Sequence, residues 1–336
     1  MKKILSALCA CLAIAVPAAC RDFTEKDFTI MTVDGVEMGA TITAPSSPKA
    51  ALLLATGSGT QNRDEEIFGK KPFKTIADFL SSNGYAVLRV DDRGISAPEK
   101  ARTSTMQTDI DDILSSFALL DSLYPSLPKG ILGHSSGGTC AIHIGAGQNG
   151  VDFIITLAAP AWRGDSISMS QNRAIAMSVT GRWDGEQLQR KILDIARSTA
   201  PDITARPMIT MAFTEALGEA AKMPQAQTQI QQQISAVLSP WFRSMLRFDP
   251  ADDIKAIKIP VLALNGSKDM QVHPDNLKTF RELNPAIETQ LMQNHNHLFQ
   301  VCQTGMMQEY ATLPGDISDE TLKAILSWLE RILPSK

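Results

Sequence analysis

The residues most able to do chemistry sit in one short stretch, Leu132-Gly133-His134-Ser135-Ser136-Gly137-Gly138-Thr139. The spacing Gly-x-Ser-x-Gly fits only one of its two serines, Ser135, flanked by Gly133 and Gly137. A serine hydroxyl is a weak nucleophile at its own pKa. It becomes reactive when a histidine takes its proton and a carboxylate orients that histidine. The chain has five histidines. His134 and His143 stand too close to Ser135 in sequence to reach it from the correct side, and His273 follows a different strand. In the chain order nucleophile, acid, base, the base comes from the loop after the last strand, where QNHNHLFQ carries His295 and His297. Residue type and position leave both open. The same order asks for a carboxylate after the penultimate strand. Asp269 in LNGSKDMQV stands there, with Asp275, just inside the next helix, as the alternative.

A tetrahedral oxyanion needs two backbone donors. The Ser136 N–H, at the start of the helix after Ser135, is one. The other is expected from the loop after an early strand, in ATGSGTQNRDE, where Gly57 and Gly59 allow close backbone approach. Ser58 N–H is the candidate, to within one residue either way. His295-x-His297 could hold a metal, but no third ligand of suitable type is gathered near it, so no metal and no cofactor are expected.

These groups must be positioned by alternating elements. FTIMTVDGVEMGATIT reads as two strands around Asp34-Gly35. Aliphatic runs at 50–56, in YAVLRVDD, KGILGHS, VDFIITLAAP and IPVLALNG, and then ETQLMQN, read as strands of a sheet covered on both faces. Helices are expected over 72–83, around 105–123, after Ser135, over 273–283, and from an N-cap at Ser318 to Leu333. Ser135 therefore falls on a tight strand-to-helix turn whose strained backbone tolerates only small neighbours. The fold class is α/β, a mostly parallel central sheet flanked by helices, with antiparallel strands at one edge. Between 163 and 248 the alternation breaks into helical sequence rich in Met, Gln and Ala, read as a lid inserted on the motif-bearing side; a peripheral helical subdomain is the alternative.

Net charge is −4 with no basic run, which argues against nucleic acid as a partner. Residues 1–20 read as a secretory signal peptide: Lys2 and Lys3, the apolar run ILSALCACLAIAV, then small residues. Cleavage before Cys20 would make a lipoprotein anchored to the membrane through that cysteine; Pro17 departs from the usual aliphatic residue there, and cleavage after Ala18 is the alternative. The expected location is outside the cytoplasm, periplasmic or facing the periplasm or cell surface. Cys140 and Cys302 remain in the folded part, as small buried groups or a pair.

Taken in order, the motifs resemble the α/β-hydrolase fold and, within it, the bacterial exported serine esterases. The resemblance covers nearly everything after the leader. It rests on the Gly57-Ser58-Gly59 loop with Arg63-Asp64-Glu65, on Asp91-Asp92-Arg93-Gly94, on the Ser135 turn, on residues 240–269, and on Asn296-His297-Leu298-Phe299. Gly94-Ile95-Ser96 departs from the more usual Gly-x-Gly, which should alter a loop. The resemblance implies His297 as base, a structural role for Asp92 and Arg93, and an α/β-hydrolase domain over 21–336. It also implies hydrolysis of a small-molecule carboxylic ester through an acyl-enzyme. A peptidase, an acyltransferase or a thioesterase could use the same triad, and an inactive binding protein could keep the same fold. Few aromatics in the helical insertion favour short or medium acyl chains.

Overall fold

A computed structural model describes residues 22–147 and 149–333. The expected signal peptide, with Cys20, lies outside the described residues. Eight strands form one sheet in the order β1-β2-β4-β3-β5-β6-β7-β8. They are β1 Phe23–Met31, β2 Glu37–Pro45, β3 Ala50–Ala55, β4 Tyr85–Val90, β5 Lys129–His134, β6 Phe153–Leu157, β7 Val261–Gly266 and β8 Glu288–Met292. β1 and β2 form the expected antiparallel hairpin, β2 pairs antiparallel with β4, and every later pairing is parallel. β3 to β7 are buried along their whole length, as helices on both faces require.

The body helices are α1 Pro72–Ser82, α2 Arg93–Ser96, α3 Pro98–Ala101, α4 Met106–Leu123 and α5 Ser136–Ala146, then α11 Ala251–Ala256, α12 Asn276–Leu283 and α13 Asp319–Ile332. One face of the sheet packs against α4 and α5, with Ile110, Phe117, Leu120 and Ile142 in the core. The other face packs against α1 and α13 through Phe73, Ile76, Ile325 and Trp328. Thr105 caps α4 through a reciprocal bond pair with Thr108, and Ser318 caps α13 by accepting the Thr321 N–H.

Between β6 and β7 lies the helical insertion: α6 Gly164–Thr180, α7 Glu186–Arg197, α8 Asp202–Leu217, α9 Pro224–Val237 and α10 Pro240–Arg247. It has a small core of its own, with Ile192, Leu193, Ile209, Phe213, Ile234 and Leu246. The glutamine-rich stretch is α9, which buries only Ile230 and Ile234, one helical turn apart. α10 docks on the start of α4, where Trp241 Nε1 donates to Asp109 Oδ2 (2.6 Å) and the Met106 N–H donates to Ser244 Oγ (2.9 Å).

Two details differ from the sequence expectation. α12 opens at Asn276, three residues after His273, because Pro274 disfavours helical backbone at the residue before it. Asp275 thus stands at the helix cap and not inside the helix. The departure at Gly94-Ile95-Ser96 is a short helix, α2, followed at once by α3. Cys140 and Cys302 are both buried and free.

Candidate active site

Ser135 sits between the end of β5 and the start of α5, with φ 51° and ψ −124°. A non-glycine residue pays for that conformation, and such strain concentrates where function needs it. The turn is held by the Ser135 N–H, which donates to the Leu157 carbonyl on β6 (2.8 Å). Its tightness explains the flanking glycines. A Cβ on Gly133 would run into the Gly137 carbonyl, and one on Gly137 into the carbonyls of Thr56 and Ala55. Ser136 opens α5, where the first N–H groups have no partner within the helix.

His297 and Asp269 meet. His297 Nδ1 lies 2.7 Å from Asp269 Oδ2, both groups buried. The other Asp269 oxygen, Oδ1, accepts the N–H groups of Gln271 (2.8 Å) and Val272 (2.9 Å), which fixes the carboxylate. The loop carrying His297 is braced by Asn296, whose side-chain oxygen accepts the N–H groups of Leu298 and Gln300, both at 3.0 Å. With Nδ1 donating to the carboxylate, Nε2 is left as the basic nitrogen.

Three of the other histidines are occupied elsewhere. His295, fully buried, bonds to the Gln293 carbonyl and to Ser318 Oγ, tying its loop to the cap of α13 (2.7 Å each). His143 pairs with Asp253, and His273 stacks on Trp162. Asp275 is exposed, with His273 as its neighbour. Geometry thus separates His297 from His295 and Asp269 from Asp275, pairs that residue type alone left together.

The glycine loop lies against Ser135: a Cβ on Gly57 would sit 3.2 Å from the Ser135 Cβ. The Gly57 N–H, however, donates to Glu65 Oε1 (2.8 Å). That bond takes Gly57 out as a free donor and leaves Ser58 and Gly59 on this loop. Glu65, almost fully buried and with φ 52°, was not singled out in the sequence as a site residue. Its signal is the Arg-Asp-Glu run together with a histidine beside Ser135.

Beside this turn lies a cavity of about 260 Å³, bounded by Thr56, Gly57, Ser136 and Gly137, with Asp92, Asp109 and Trp241 also in its wall. Asp92 accepts from Thr56 Oγ1 (2.6 Å) and from the Gln61 N–H (2.8 Å), so it shapes the glycine loop. Burial raises the pKa values of Asp92 and Asp109 to about 7 each. Arg93, also in the wall, already pairs with Asp112 (2.6 Å) and Asp34 (2.9 Å). Its pKa is raised, first by the Asp112 hydrogen bond, and it anchors α4 to the β1–β2 turn.

The family model described as serine aminopeptidase, S33 matches residues 70–299, more than half of the chain. Esterase EstD of Thermotoga maritima is 29% identical over 257 residues, 74% of this chain and 53% of that protein. The chain thus spans about half the length of the curated relative it matches. Among solved structures, the Pyrococcus furiosus esterase Pf2001 superposes with a TM-score of 0.54 at 16% identity, covering 92% of this chain and 91% of the other. A proline iminopeptidase of Mycobacterium smegmatis gives a TM-score of 0.54 at 16% identity, over 92% and 99%. At that level of identity the likeness is one of fold.

Proposed function

Since the chain belongs to the serine aminopeptidase S33 family of α/β-hydrolases, we propose that it is a serine hydrolase of carboxylic esters with Ser135, His297 and Asp269 as its triad. The observation that carries this is the buried Asp269–His297 pair beside a strained serine turn. Asp269 holds His297 with Nε2 free to take the Ser135 proton as the hydroxyl attacks the ester carbonyl. The N–H groups of Ser136 and Ser58 receive the oxyanion. His297 then protonates the departing alcohol, and water enters by the same route to release the acid and restore Ser135. The relative from Thermotoga is named an esterase, which favours esters over peptides.

α6–α10 act in this reading as a lid, because α10 places Trp241 in the wall of the cavity beside Ser136. Short or medium acyl groups fit a cavity of this size. The experiment is hydrolysis of p-nitrophenyl esters of rising acyl length by the wild-type protein and by Ser135→Ala, with aminoacyl p-nitroanilides as the peptidase comparison. Ester turnover that disappears in Ser135→Ala is expected. Turnover of the anilides alone would overturn the ester reading in favour of a peptidase.

Export through the leader, with lipid attached at Cys20, belongs to the same proposal. Among the described residues no helix is long and apolar enough to cross a membrane. Fatty-acid labelling of the expressed full chain that disappears in Cys20→Ala is the expected result; unlabelled protein would point to cleavage after Ala18.

A further inference from the structure

The residue before Ser135 is a second buried histidine for which the triad has no use. His134 is 6% exposed, and both of its ring nitrogens face oxygens. Nδ1 lies 2.8 Å from Glu65 Oε1, and Nε2 lies 3.0 Å from the backbone carbonyl of His297. The carbonyl can only accept. Glu65 Oε1 already accepts the Gly57 N–H, so it too acts as an acceptor. A neutral imidazole has one N–H and would leave one of these contacts as lone pair against lone pair. An imidazolium satisfies both.

The groups around the ring bear this out. Burial opposes a charge on His134. The charge and hydrogen bond of Glu65, the His297 carbonyl and the charge of Asp269 outweigh it, and the His134 pKa is raised above its ordinary value. The His297 ring itself lies against it, centroids 4.6 Å apart and tilted by 49°. Three segments therefore converge on one hydrogen-bonded pair. Glu65 belongs to the loop that carries Gly57 and Ser58, His134 adjoins Ser135, and the accepting carbonyl belongs to the residue read as the base.

We propose that His134 is a positioning residue, held as an imidazolium by Glu65, which fixes the backbone of His297 and the oxyanion loop relative to Ser135. This rests on the reading of Ser135 and His297 given above. If His134 lost its proton, one of its two hydrogen bonds would go, and either the base or the oxyanion loop would loosen. Misplacements of about 1 Å can cost on the order of 10²-fold in rate. Activity should therefore fall on the alkaline side as His134 deprotonates.

The test is kcat and KM against pH for the wild-type protein, Glu65→Gln and His134→Gln, with Ser135→Ala as control. Gln at position 65 still accepts the Gly57 N–H but removes the countercharge. It should move the alkaline limb down by about one pH unit or more, and so lower kcat across the range in which the wild-type His134 is charged. His134→Gln cannot titrate. It should abolish the limb and lower kcat on the order of 10- to 100-fold, with KM changed much less. Imidazole 15N NMR of the wild-type protein should show His134 with two N–H groups at pH 7.5, a reading that does not depend on how any variant folds. A neutral His134 there, or an alkaline limb that both variants leave in place, would overturn the inference. No ester turnover by the wild-type protein, or turnover that survives in Ser135→Ala, would instead sink the functional reading and the positioning role with it. The NMR would still report the charge.

Discussion

The Ser135 turn separates two polar regions built on opposite terms. On the His297 side, carboxylates are matched: Asp269 meets His297 and two backbone N–H groups, and Glu65 meets His134 and Gly57. On the cavity side, Asp92 and Asp109 have only neutral donors, Thr56 and Gln61 for one and Trp241 for the other, while Arg93 is already paired. The first arrangement fixes geometry at the atoms that move a proton in the proposed mechanism. The second leaves two carboxylates at the edge of their charged form, with pKa values raised to about 7 by burial. Organisation is concentrated where the proposed chemistry needs precise angles, and the cavity proposed to receive the substrate holds the buried carboxylates without a charged partner.

The contrast predicts opposite outcomes for the same substitution. Asp269→Asn on the matched side should lower kcat on the order of 10³- to 10⁴-fold with little change in KM, because the amide no longer holds the productive tautomer of His297; steady-state ester kinetics check this. Gly137→Ala strikes the turn common to both sides. Its methyl group would collide with backbone carbonyls that cannot rotate away, and a loss of about 3 kcal/mol or more is expected by denaturant unfolding, with activity lost alongside.

Asp109→Asn on the cavity side should stabilise the protein. The sign follows from the raised pKa. Below the unfolded carboxylate value the group is protonated in both states and costs nothing. As pH rises towards about 7 the unfolded chain releases the proton while the folded chain keeps it, so stability falls and then levels off. The Asn variant should therefore melt several degrees above wild type at pH 8, and by a smaller margin at pH 5, in paired thermal scans. A destabilised variant at pH 8 would remove the distinction between the two sides. The smallest effect is expected farthest from both: Ile203→Gln, at an 85% exposed position of the insertion, should shift stability by within about 0.5 kcal/mol.

Much of this site could be read from the order of residues alone. Ser135 follows from glycine spacing at the end of an aliphatic run, and Ser136 from its place at the start of a helix. The insertion follows from the loss of strand alternation between 163 and 248. Asp269 follows from its place after the seventh strand. Other parts could not be read. His295 and His297 have the same side chain two residues apart, and only packing sends one to Ser318 and the other to Asp269. The helix expected from His273 begins later because Pro274 overrides the apolar spacing. Glu65 and His134 are 69 positions apart, and nothing local couples them.

The sequence by itself determined the elements and the positions where chemistry could occur, because periodicity, glycine spacing and capping act over a few neighbouring residues. Which charges meet was decided only by the tertiary structure. The parallel sheet brings the ends of β3, β5 and β7 to one edge, so that loops far apart in the chain come to share hydrogen bonds. Whether a buried carboxylate there is matched to a histidine or left facing a cavity depends on where those loops land.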